Sequence, residues 1–209
     1  MMNEYILNNI SGQLDKIELS ICEYLGEEYS KMISDKLHNI DFALVRESGV
    51  VHLNEEDVYV GEEPVCIKNE DKSIIVLPLN FFNKKSSNIT FVHLLLHCIL
   101  DDYKNIESYN ETLIDYIAND MGDILKKYKV NILANKEPVY ESTSLYTKFY
   151  PLIENYYKEN KEKIINKLMI KGTKMIDCDE KIVAYEVEKA FEKFCYAFEE
   201  VKENKILRK

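Results

Sequence analysis

Apolar residues recur along the first forty positions at the spacing of one helix face: Leu14, Ile17, Ile21, Leu25, then Met32 and Ile33. Intervals of three, four and seven put such residues on a single stripe, so the chain opens with an amphipathic helix that ends near residues 38–41. Gly26 falls inside it at a cost of about 1 kcal/mol relative to alanine, which makes it the place for a bend or a break. Across residues 42–82 the pattern changes. Glycines at 49 and 61, a proline at 64 and short Val/Ile runs predict strands over 50–53, 58–60, 65–68 and 73–79. The polar stretch 69–72 reads as the turn of a hairpin. Its second strand carries Ile74, Ile75, Val76 and Leu77 in succession, with no polar face, and is therefore expected to be central or well covered.

Residues 89–103 are apolar on most sides and predict a buried helix, entered through Ser and Asn residues that can cap it. A second helix over 110–129 takes its apolar face from Ile114, Ile117, Met121, Ile124 and Leu125. From residue 137 onward the chain reads as wholly helical. One helix carries Pro151 in its first turn and closes at 171–173; the next bears a stripe of Val183, Val187, Ala190, Phe191, Phe194, Phe198 and Val201. These elements predict an α+β, predominantly helical fold, with a small β-sheet packed on the helix pair and a helical C-terminal half covering one side. The organisation expected is an N-terminal helical segment (1–41), the sheet with its two helices (42–130) and a C-terminal helical region (131–209), all sharing one core.

Composition narrows the class. A 209-residue chain that is 46% hydrophobic and 31% charged folds as a globular protein. The apolar stretches 73–82 and 89–100 are too short to cross a bilayer, and the first ten residues lack the basic start and long apolar run of a secretory signal. A cytoplasmic protein with no membrane partner is expected. Its five cysteines, at 22, 66, 98, 178 and 195, contain no C-x-x-C pair and read as small buried hydrophobes rather than a zinc knuckle or a disulfide frame. A net charge of -10 argues against nucleic acid as a partner. Tyr140, Tyr146, Tyr150, Tyr156 and Tyr157 cluster in the sequence and suit the border of a helical core, with wet hydroxyl tips.

The chemistry concentrates in His93-Leu94-Leu95-Leu96-His97, which holds two of the four histidines. Four residues apart on a helix, both imidazoles project from one face and can reach the same ion, although two buried core histidines would have the same spacing. Further on comes Asn110-Glu111-Thr112-Leu113-Ile114-Asp115, at the start of the next helix. Together these segments resemble the thermolysin-like, or gluzincin, branch of the zinc metallopeptidases, in which an H-E-x-x-H helix is followed by an N-E-x-x-x-D helix.

The resemblance covers about residues 65–129, including the hairpin before the first helix, and implies a zincin-like fold. It makes His93, His97 and Glu111 the ligands of a zinc ion and Asp115 the acid that orients a ligating histidine. The interval from His97 to Glu111 is short for this branch, as would suit compact bacterial or phage-type relatives. One position departs from the pattern: where the family carries the glutamate that acts as general base, this chain has Leu94. Loss of a positioned base typically costs 10²- to 10⁴-fold in rate. The resemblance thus implies a catalytically impaired homologue, a pseudo-peptidase that binds a peptide or protein.

Two alternatives stand beside it. One is an active zinc-dependent hydrolase using Asp101, four residues past His97 on the same face, as an unconventional base. The other is a metal-free helical interaction protein with His93 and His97 in its core. Asp102 and Glu107 read as solvated acids, His38 and His52 have no partner at ligand spacing, and Cys98 lies on a different helix face from His97. Imidazole and carboxylate donors favour zinc but also suit iron, nickel or copper.

Overall fold

The computed structural model describes residues 2–46, 49–53, 56–61, 63–68, 72–100, 108–133, 137–171 and 178–206. The N-terminal stripe forms two helices, α1 (Met2–Leu25) and α2 (Ser30–His38), separated by a short 3-10 turn at Glu27–Tyr29. The break falls at Gly26, whose φ of 125° is open to glycine and closed to residues with a Cβ. Ile10, Ile17, Ile21 and Leu25 of α1 and Ile33 and Leu37 of α2 all turn into the core.

Five strands follow: β1 (Ile40–Val45), β2 (Gly49–Leu53), β3 (Glu56–Val60), β4 (Val65–Lys68) and β5 (Ser73–Pro78). β2 and β3 pair with each other as an antiparallel hairpin. The other three form a mixed sheet in the order β1-β5-β4, with β5 parallel to β1 and antiparallel to β4. The unbroken apolar run of β5 is explained by its central place, where Ile75, Val76 and Leu77 are fully buried. β1 is a strand that the turn signals do not announce. It begins two residues after α2 ends, and its partner lies far along the chain.

One face of this sheet rests on α3 (Ser87–Leu100). Phe42 of β1 meets Phe91 of α3 at a ring separation of 5.7 Å. The start of α3 is anchored by Ser87 Oγ, which donates to the Phe81 carbonyl, and by Asn88 Oδ1, which accepts the backbone N–H of Ile132 at 2.9 Å. α4 (Ser108–Asp120) packs along α3, and α5 (Gly122–Lys127) continues from it. At Gly122 a Cβ would stand 2.4 Å from the Tyr140 carbonyl oxygen, so the chain crossing there requires glycine.

Residues 137–144, expected to be helical, are not. Pro138 has no N–H to give, and the serine hydroxyls take backbone donors that a helix would use: Ser142 Oγ accepts from Ser144 N, and Ser144 Oγ from Tyr146 N, each at 3.2 Å. Helix resumes as a 3-10 turn (Leu145–Phe149), then α6 (Tyr150–Lys171), then α7 (Cys178–Ile206). α6 is interrupted at Asn160, whose side-chain amide donates to the Tyr156 carbonyl at 3.0 Å.

An ion pair between Lys167 of α6 and Glu180 of α7, with side chains 5% and 2% exposed, joins the last two helices. Tyr109, at the start of α4, donates its N–H to Glu188 of α7 at 2.7 Å and its hydroxyl to Glu180 at 3.3 Å. A helix N-terminus has N–H groups without intrahelical partners, and Glu188 takes one of them. The buried hydrophobic cluster runs from Ile10 to Val187 without division. The fold is α+β and predominantly helical. No described helix is long and apolar enough to cross a membrane.

Candidate metal centre

α3 and α4 lie side by side, so residues on their facing sides meet. From α3 come His93 and His97, and from the first turn of α4 comes Glu111, with Asp115 one turn further on. The two Nε2 atoms are 2.9 Å apart; His93 Nε2 lies 3.4 Å from Glu111 Oε2, and His97 Nε2 lies 3.4 Å from Glu111 Oε1. One ligand atom from each residue falls within 4.8 Å of the other two. Donors bound to one tetrahedral ion at 2.0–2.2 Å stand about 3.4 Å from each other, so these separations need little adjustment to hold zinc.

Asp115 stands behind His93, with Oδ1 3.2 Å from Nδ1. At that distance the carboxylate pairs with the His93 ring nitrogen on the side away from Glu111. The carboxylate is itself held by three hydroxyls. Ser142 Oγ donates at 3.0 Å, Ser144 Oγ at 2.5 Å and Tyr150 Oη at 2.7 Å, all to Oδ2. The segment that fails to become helix therefore supplies two of these donors. Composition gave no sign of this ring, although the Ser142-Thr143-Ser144 run ahead of Pro151 was a turn signal that could have pointed to it.

The electrostatics follow from burial against pairing. Burial opposes the His93 imidazolium, but Asp115 and Glu111 outweigh it and push its pKa up to about 9. Burial likewise opposes the Glu111 anion, yet His93 and His97 hold its pKa well below the usual carboxylate range. Asp115 is also lowered: burial works against it, and His93, Ser144 and Tyr150 more than compensate. Tyr146 is pushed up to about 12, first by burial and then by the Glu111 and Asp115 charges.

The cluster forms the floor of a cavity of about 1000 Å³, in the size range of ligand sites. Val65, Cys66 and Ile67 of β4 line one wall, Leu94 adjoins the histidines, and Leu145 and Tyr146 contribute from the C-terminal half. Among the described residues β4 is an edge strand of its sheet, paired on its β5 side.

His38 and Cys98 are not part of this cluster. His38 is exposed at the end of α2, with Nδ1 2.8 Å from the Ser34 carbonyl, and His52 belongs to strand β2. Cys98 sits on the sheet-facing side of α3, its Sγ 3.2 Å from that of Cys66. Asp101, Asp102 and Glu107 lie outside the described residues.

Compared with family models, curated proteins and solved structures, the chain matches none. Fold and site together define a predominantly helical α+β protein with a two-histidine, one-glutamate cluster at the bottom of a cleft.

Proposed function

We propose that the protein is a degenerate relative of the thermolysin-like zinc metallopeptidases, which holds zinc on His93, His97 and Glu111 and binds a peptide or protein segment above it without proficient cleavage. The observation that carries this reading is the convergence of three donor groups, at separations suited to one ion, on the floor of the cavity. Two core histidines alone would not call for a glutamate facing both rings and an aspartate behind one of them.

Bound there, zinc would act as a Lewis acid toward a donor oxygen of the ligand. The chain's own residues do the rest. Asp115 sets the His93 ring, the three hydroxyls fix Asp115, and the edge strand β4, which lines the cavity, accepts an extended peptide alongside it. Leu94 cannot take a proton, so the group that would activate water is missing.

Zinc-loaded wild type should cleave no peptide above a metal-free control. Leu94→Glu should acquire hydrolysis, lost again when His93→Ala or Glu111→Ala is added. Specific cleavage by wild type that Asp101→Asn abolishes without loss of zinc would replace this reading with an active hydrolase. Failure of wild type to bind zinc would replace it with a metal-free interaction protein.

A further inference from the structure

The sheet register places Phe42, Ile75 and Cys66 in one row across β1, β5 and β4. That row faces α3, because Phe42 touches Phe91 and Ile75 is fully buried. Phe91 and Cys98 are seven residues apart, two turns along the same side of α3. Phe91 therefore meets one end of the row and Cys98 the other, where its Sγ lies 3.2 Å from Cys66 Sγ. The two residues differ in access. Cys98 is buried beneath the sheet, whereas Cys66 is half-buried on the edge strand and lines the cavity.

We infer that Cys66 and Cys98 form a redox-active dithiol, whose co-substrate is a low-molecular-weight disulfide such as oxidised glutathione, and that oxidation closes a reversible bond between the cleft wall and the metal-site helix. The Cys66 thiolate attacks the small disulfide, giving a mixed disulfide and releasing one thiol. The Cys98 thiolate then attacks Cys66 Sγ and displaces the second. Two protein thiols and one small disulfide become one protein disulfide and two small thiols, with two electrons passed to the small molecule. Bond formation requires each sulfur to move about 0.6 Å, since a disulfide spans about 2.05 Å. The inference is independent of the metal, because neither sulfur belongs to the His93, His97 and Glu111 set.

The bond would close a loop between residues 32 apart in sequence and pin the edge strand β4 against the helix that carries both histidines. Constraint of the unfolded chain should raise the melting temperature by roughly 5–10 °C, and reductant should reverse the rise.

The test is equilibration of the full-length protein in glutathione buffers of graded ratio, followed by acid quench, alkylation, intact mass and non-reducing peptide mapping, with zinc content measured on the same samples. The expected product yields a Cys66–Cys98 cross-linked peptide two hydrogens lighter than its two reduced parts, while the exposed Cys178 and Cys195 take up glutathione as mixed disulfides. Cys66→Ser, a small change on the edge strand, should fold and show no oxidant-dependent shift in melting. A cross-link in protein that holds no zinc upholds this inference even as the metal reading falls. Zinc-loaded protein in which Cys66 stops at the glutathione adduct, or in which the cross-link joins another pair, overturns it.

Discussion

Asp115 is almost completely buried, yet it stays charged because an imidazole and three hydroxyls converge on it. Supporting acids of this kind typically contribute 10- to 100-fold to metal affinity. Asp115→Asn should weaken zinc binding by about that factor in competition with a chromophoric chelator, and an unchanged affinity would contradict its assigned role. The same cluster sets a pH profile in metal-stripped protein. His93 is raised to about 9, so its contribution to stability is complete below its unfolded value near 6.5 and is lost as pH rises through about 9. Glu111 and Asp115 are lowered, so theirs is present above about pH 4 and is lost as pH falls toward their depressed values. The melting temperature of stripped wild type should therefore fall between about pH 7 and 9, and His93→Gln should flatten that limb. A wild-type profile that is flat there would mean that His93 is not held as the imidazolium by these acids.

Among the elements, α7 governs how the start of α4 is presented, since Glu180 and Glu188 both bind Tyr109, two residues before Glu111. Glu180→Ala would also leave Lys167 buried without its counter-charge, a loss expected to cost about 3–5 kcal/mol. Chemical denaturation measures this, and a change below about 1 kcal/mol would show that water replaces the pair. The sequence announced elements whose neighbours are local. β5 was legible because its apolar run has no polar face, and α3 because its histidines sit in an almost wholly apolar helix. β1 was not, because Ile40, Phe42 and Leu44 follow α2 without a glycine or proline between them, and the pairing with β5 that makes them a strand is non-local. Residues 137–144 were misjudged because their conformation is set by serine hydroxyls competing for backbone donors, which hydrophobic spacing does not register. At the site, helical spacing put His93 and His97 on one face, whereas Glu111 and Asp115 were reached only through the resemblance to the N-E-x-x-x-D segment. The serine run at 142–144 signalled a turn and no more; where its hydroxyls would point, and that Cys66 would meet Cys98, depends on which segments fold against each other.

For the whole molecule, a net charge of -10 predicts no salt-sensitive affinity for duplex DNA or RNA. Binding that weakens steeply between low and physiological salt would point instead to a local basic surface around Lys126, Lys127 and Lys129. The cavity is framed by β4, α3, the first half of α4 and residues 143–146. Whether that floor holds a metal decides the account. The most direct measurement is a crystal structure of protein purified without a histidine tag and soaked in zinc, with anomalous diffraction collected at the zinc edge. The account predicts one strong peak about 2.0–2.2 Å from a ring nitrogen of His93, a ring nitrogen of His97 and a carboxylate oxygen of Glu111. A peak elsewhere, or none with these side chains ordered, would contradict it.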